Sequence, residues 1–264
     1  MLAKKNTHTL DANITFEPLR HRYLITAPGV ATRSFQSVTS FVKSNFAPFD
    51  SATALAGAKR GNNPKYVGKS DKQILREWAD SGKEAAALGT ELHAEIEAFY
   101  NASDMFEWMT DDESDKPERR QFTSFWEDHK DTLEPYRTEW AVYDVGTRLA
   151  GSMDMVFRNR EGKYFIYDWK RTKPFRPEDY FGRNSTTPCL LAVPDTKFWH
   201  YSLQLNTYKT IIERGYGIRI DGMFLVRFHP TLEDYEKISV PCMAPLMRNL
   251  FAERTTTVAS SQHV

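Results

Sequence analysis

The stretch from residue 138 to residue 170 constrains this chain more than any other. Apolar and polar residues alternate there with period two in three runs, 138–144, 148–158 and 163–170. Short links between the runs predict consecutive strands joined as antiparallel hairpins. The second link, Arg160-Glu161-Gly162, ends in the glycine that a three-residue hairpin loop needs at its left-handed position. That turn fixes a register. Asn159 faces Lys163, counting back sets Asp154 opposite Asp168, and Lys170 lies two residues on along the same face. The flanking Met153, Met155, Val156, Phe157, Ile166 and Tyr167 predict that both faces of the hairpin are buried.

Two carboxylates facing each other in an apolar sheet repel, and a buried, unpaired charge costs several kcal/mol. A divalent cation compensates both, and hard cations such as Mg2+ favour carboxylate oxygen. A lysine beside that cation is suited to orient an attacking water and to stabilise charge developing on a phosphate. The chemistry this trio fits is metal-assisted phosphodiester hydrolysis. The bland alternative pairs Asp168 with Lys170 as a buried ion pair and leaves Asp154 at a solvated strand end.

The rest of the chain reads as a scaffold for this hairpin. Residues 14–26 predict a β-hairpin, and Ser37 caps a short helix that ends before Pro48. Residues 57–68 read as a loop, on Gly61-Asn62-Asn63-Pro64. Helices are predicted over 71–79, 83–101, 118–132 and 198–214, and a further strand over 221–229. In the second helix Leu88, Leu92, Ile96 and Phe99 form the buried stripe, with His93 and Glu97 one turn apart on a neighbouring face. Residues 174–195 carry four prolines and form a stretch long enough to suggest a functional loop or flap. The expectation is a single α/β (α+β) domain with a central mixed, largely antiparallel sheet flanked by helices. Residues 1–70 form an N-terminal β-hairpin and helical extension packed on a core of 71–254, followed by a Thr/Ser-rich, disordered tail of 255–264.

Composition narrows the partners. Lys and Arg total 35 and so do Asp and Glu, which excludes a generic DNA-coating protein held by bulk positive charge. Nucleic acid must then bind locally, in a groove. The signs are segregated, with acidic residues over 111–115 and basic ones over 148–176. Arg171, Lys173 and Arg176, directly after the third strand, are the better candidates for phosphate contact, and Arg183 and Lys197 the weaker. Trp169, Trp199 and Tyr201 read as core residues first and as base-stacking residues second. Two cysteines, Cys189 and Cys242, are too few for a four-cysteine zinc site or an iron–sulfur cluster within the chain. The polar first residues, with Lys4 and Lys5, do not read as a secretory signal, and no apolar run suits a membrane helix, so an intracellular location is expected.

Four motifs together resemble a known family. Gly151-Ser152-Met153-Asp154 followed by Asp168-Trp169-Lys170 resembles the bipartite motif of the PD-(D/E)XK nuclease superfamily. Gly89-Thr90-Glu91-Leu92-His93 upstream and Gln204-Leu205-Asn206-Thr207-Tyr208 downstream are similar to motifs of its RecB-like exonuclease branch, which includes the mitochondrial genome maintenance exonucleases. Met153 stands where the superfamily name has proline, and no helicase motif is present. The resemblance implies a restriction-endonuclease-like core and Mg2+ or Mn2+ held by His93, Asp154 and Asp168. It makes Lys170 the catalytic lysine, sets Gln204 and Tyr208 on an active-site helix face, and leaves Glu139 and Glu97 as further acidic candidates. It also implies a DNA substrate, single-stranded or with free ends, in repair, recombination or genome processing, with any helicase or recombination partner in another chain. A structure-specific or nicking endonuclease with the same residues, and a non-catalytic binding module on a nuclease fold, are the competing readings. Taken alone, His93 with Glu97 is better explained by a solvated helix pair, and Gln204 with Tyr208 as well explained by helix packing.

Overall fold

The structure is a computed structural model and describes residues 1–20, 22–27, 33–60, 63–102, 116–179 and 182–260. The acidic run over 111–115 and the Gly61-Asn62 turn lie outside the described residues. Helices α1 (Leu2–Lys5), α2 (Val38–Ser44), α3 (Ser51–Arg60), α4 (Asp71–Asn101), α5 (Pro117–His129), α6 (Lys197–Ile211) and α7 (Ala244–Ser260) surround a sheet. Its strands are β1 (Ile14–Glu17), β2 (Arg22–Ile25), β3 (Arg33–Ser37), β4 (Leu133–Asp144), β5 (Leu149–Asn159), β6 (Tyr164–Arg171), β7 (Ile220–Phe228) and β8 (Glu236–Ser239). The order is β1-β2-β3-β5-β6-β7-β8, with β4 on the other edge of β5. The β3–β5 and β6–β7 pairings are parallel and the others antiparallel, so the sheet is mixed. This is an open α/β sheet flanked by helices, as expected from the sequence.

The pairing of β5 positions the site. One edge of β5 is covered end to end by β4, from Asp144↔Leu149 to Leu133↔Asn159. The other edge is shared. β3 takes Leu149 and Ala150, while β6 takes Met155 to Arg158. Residues 151–154 lie between the two, and the sheet opens there into a notch. Asp154 makes the opening local, because its Oδ2 accepts the Trp169 N–H at 2.9 Å. The hairpin beyond the notch holds the register set by Gly162, which adopts φ +78°, with Asn159 N–H donating to the Lys163 carbonyl at 2.9 Å.

Two cores meet across the sheet. One, under α2, α6 and α7, contains Trp140, Met153, Leu203, Leu205 and Phe251. The other, under α4 and α5, contains Ile96, Phe99, Phe122, Met155 and Trp169. Met153 and Met155 point into different cores, so the strict alternation of β5 breaks at Asp154. Opposite it on β4, Glu139 has φ +40°, a left-handed conformation that costs a non-glycine residue about 1–2 kcal/mol. Strain of this kind persists only where surrounding contacts impose it.

Several expectations are corrected. Residues 71–79 and 83–101 form one continuous helix, α4, through Ser81-Gly82. A mid-helix glycine costs about 1 kcal/mol, too little to break a helix capped by Ser70 and Gln73 and anchored by Leu92, Ile96 and Phe99. Residues 57–60 belong to α3 rather than to a loop. β4 starts at Leu133, with Pro135 accommodated at a bulge before Arg137. The stretch after β6 is not a free flap over 184–194. The Asn45 carbonyl accepts from Ser185 Oγ and Thr186 N at 2.7 and 2.9 Å, and Leu190 and Val193 are buried. Residues 255–260 continue α7 instead of forming a disordered tail, with Val258 buried.

Candidate metal and nuclease site

Three strands carry one acidic residue each to the notch. In the β4–β5 ladder Thr138 faces Met155 and Trp140 faces Met153, which sets Glu139 level with Asp154. In the β5–β6 ladder Met155 faces Tyr167, which sets Asp154 level with Asp168. His93 reaches the same point from α4. Its Nε2 lies 2.8 Å from the Trp169 carbonyl. A carbonyl only accepts, so in the neutral ring Nε2 carries the proton and Nδ1 keeps its lone pair. Nδ1 lies 3.5 Å from Asp154 Oδ2 and 3.9 Å from Glu139 Oε1. One ligand atom from each of His93, Glu139 and Asp154 falls within 4.8 Å of the others. An imidazole with its inner nitrogen unprotonated beside two carboxylates is a donor set that fits a divalent cation.

Asp168 is engaged differently. It is buried and in close ion-pair contact with Lys170, whose ammonium also lies 4.8 Å from the Tyr201 ring centre. Burial pushes the Asp168 carboxyl up to about 6, Lys170 offsets part of that, and Asp154 adds to it. Burial alone would lower Lys170, but Asp168 and Asp154 outweigh it and hold the ammonium above the usual lysine range. Glu139 is pushed up to about 7, by burial first and by the Asp154 charge second. Its Oε2 accepts from Ser152 Oγ at 2.8 Å. Glu97 is exposed one turn from His93 and adds a weaker repulsion to Glu139. The cluster therefore holds more negative charge than its own cations neutralise, which is the electrostatic condition for taking up a metal.

The second helix face comes from α6, seated by the Thr196 cap. Tyr201, Gln204 and Tyr208 follow one another at helical spacing, so they share one face of α6. Burial raises the Tyr208 phenol well above its ordinary range, so it stays protonated. Tyr208 also explains Gly151. A Cβ at residue 151 would sit 2.7 Å from Tyr208 Oη and 3.0 Å from its Cε1. Gly151→Ala is expected to destabilise the protein by about 1–3 kcal/mol. Denaturant midpoints measure this, and Tyr208→Phe in the same chain should recover part of the loss because the nearest atom is the hydroxyl.

The remaining candidates separate. Arg171 donates to Glu118 Oε1 at 2.6 Å, so its charge is already matched, whereas Lys173 and Arg176 are exposed. Arg183 pairs with Asp179, and Lys197 donates to Thr172 Oγ1. Trp169 lies in the second core, so its ring is not an open stacking platform, while Trp199 is half-buried with its Nε1 donating to the Pro177 carbonyl. A cleft of about 530 Å³ beside Leu133, Pro135 and Arg158 lies toward the far end of β5 and shares no residue with the cluster. Ser152 stands at the notch, bonded to Glu139, without having been singled out in the sequence. Ser152 was legible as the residue two before Asp154, on the same strand edge.

An open mixed sheet that carries acidic residues, a histidine and a lysine to one break in its edge defines an α/β fold with a candidate metal site. The sequence profile of the PD-(D/E)XK nuclease superfamily matches residues 64–258, and the chain belongs to that superfamily. Membership implies metal-dependent nuclease activity with DNA as substrate. No curated protein matches this sequence. The solved crystal structure of SSO0001 aligns with 97% of this chain and 84% of that one, at 18% identity and a TM-score of 0.36. Among the described residues no helix is long and apolar enough to cross a membrane.

Proposed function

We propose that this chain is a Mg2+- or Mn2+-dependent deoxyribonuclease of the RecB-like branch, an exonuclease acting on single-stranded DNA or DNA ends. The observation that carries the hydrolytic reading is the convergence of His93, Glu139 and Asp154 beside the buried Asp168–Lys170 pair. His93, Asp154 and Asp168 are assigned as metal ligands, with Glu139 as a further one. The imidazole favours Mn2+ alongside Mg2+. When bound, the cation would supply the charge that draws in and polarises the scissile phosphate.

The protein's own groups do the rest. Trp169 fixes the His93 tautomer through its carbonyl and holds Asp154 through its amide. Lys170, kept protonated by Asp168, serves as a hydrogen-bond donor toward the water or the phosphate rather than as a base. Gln204 and Tyr208 present polar groups from the opposite side of the notch. The exposed Lys173 and Arg176 are placed after β6 to meet backbone phosphates. The preference for ends, and a role in repair or recombination, rest on the motif resemblance alone.

Incubation with end-labelled and circular single-stranded DNA, with Mg2+, Mn2+ or EDTA, tests this reading. Metal-dependent degradation of linear strands with intact circles is expected. Cutting of circles would replace the exonuclease with an endonuclease, and inertness toward every substrate would leave a binding module.

A further inference from the structure

The Lys170 ammonium sits between two groups from different elements. On β6 the Asp168 carboxylate, two residues back, is in ion-pair contact with it. From α6 the Tyr201 ring lies under it, with the ring centre 4.8 Å from Nζ. These partners are not equivalent. A carboxylate oxygen that serves a divalent cation is no longer free to hold a lysine in the same way. A ring face attracts an ammonium within about 6 Å through its quadrupole, and it leaves the N–H groups free for other acceptors. Tyr201 is half-buried and is itself braced. Phe175 meets its ring edge to face with centres 5.6 Å apart, Phe175 stacks on Phe198 at 6.4 Å, and all three belong to the core under α6. The segment that carries Phe175 is tied to the same helix. The Pro177 carbonyl accepts from Trp199 Nε1 at 2.9 Å, and Lys197 Nζ donates to Thr172 Oγ1 at 3.4 Å. Tyr201 precedes the Gln204-to-Tyr208 motif, so the family resemblance assigns it no role.

We propose that Tyr201 is a positioning residue for Lys170: its ring keeps the ammonium in the notch when Asp168 is engaged by a divalent cation. This rests on the reading of Asp168 as a metal ligand and of Lys170 as the hydrogen-bond donor in the reaction. A lysine stem is long and flexible, and an ammonium that loses its carboxylate has many other rotamers to occupy. The braced ring limits that freedom without neutralising the charge or competing for the metal. With one face on Lys170, Tyr201 is placed to orient a donor rather than to stack on a base.

Proton NMR of the full chain with Mg2+ present tests the proposal without relying on turnover, because protons over a ring face resonate upfield. The Lys170 ε-methylene protons, assigned by their loss in Lys170→Arg, should lie upfield of the other lysines in the wild type and in Tyr201→Phe, which keeps the ring. They should return to the ordinary lysine position in Tyr201→Leu. Single-turnover cleavage supplies the second readout. Tyr201→Leu is expected to lower the rate at saturating DNA by about tenfold, with Mn2+ affinity and apparent DNA affinity unchanged, and Tyr201→Phe should recover most of that loss. In a Lys170→Ala background Tyr201→Leu should have no further effect, because the group it positions is gone. Ordinary Lys170 shifts in the Mg2+-loaded wild type would overturn the proposal, as would the same tenfold loss in both backgrounds. An equal loss in Tyr201→Phe and Tyr201→Leu would also overturn it, by assigning the effect to the hydroxyl. A wild type that neither binds Mn2+ nor cleaves DNA would sink the nuclease reading itself, a result distinct from an active wild type that is indifferent to Tyr201.

Discussion

Lys170→Ala should lower turnover by about 10²–10³-fold while Mn2+ affinity stays the same or tightens. The ammonium is in ion-pair contact with Asp168 and lies within reach of Asp154, so it competes with a cation for the same carboxylates. Removing it takes away a repulsion from the metal site and a hydrogen-bond donor from the reaction. Single-turnover cleavage and Mn2+ titration on the same preparation separate the two effects. A parallel loss of metal affinity would mean that Lys170 holds the site together rather than serving the chemistry.

Asp154→Asn should have an effect of the opposite kind. Asn keeps an oxygen for the Trp169 N–H, so the local backbone has no reason to move. It removes the charge that sits level with both Glu139 and Asp168. Metal affinity is expected to fall by about 100-fold or more, while the metal-free protein becomes more stable.

The same repulsion sets a pH dependence. Glu139 and Asp168 titrate in the folded chain near 7 and 6, above the roughly 4.3 and 3.9 of unfolded carboxyls. The folded state therefore binds more protons through this window, so stability from these two groups is full below the unfolded values and is lost as pH rises through the folded ones. Melts of the metal-free wild type should fall between about pH 5 and pH 7.5 relative to Asp154→Asn. The Mn2+-induced rise in melting temperature should grow over the same window in the wild type. A wild-type and variant pair with parallel pH curves would show that the carboxylates are not coupled.

Much of this site was legible before any coordinates because its geometry is short-range. One glycine turn sets the β5–β6 register, and Asp154, Asp168 and Lys170 follow from counting. His93 and the α6 residues were reached through motif resemblance, since helix spacing alone does not say which strand a helix crosses. Glu139 was held as a lesser candidate, and its placement depends on the β4–β5 turn together with a left-handed backbone that a strand pattern does not anticipate. The attachment of β3 to β5 was not legible, because it pairs segments more than a hundred residues apart.

The errors in the fold have similar causes. Ser81-Gly82 looked like a boundary because local propensity was weighed without the anchors at both ends of α4. The Thr/Ser-rich terminus looked disordered because hydroxyl-rich segments compete with the backbone for hydrogen bonds. Here Thr255, Thr256 and Thr257 donate to the carbonyls four residues back, and α7 continues through them.

The attachment of β3 has a consequence for solubility as well. Leu149 and Ala150 are fully buried, and β3 covers the edge of β5 at those two residues. A chain shortened to the region of the superfamily match would present that hydrophobic edge to solvent, next to a notch already missing a neighbour. Bare strand edges recruit other strands. The N-terminal hairpin thus acts as a guard against self-association between copies.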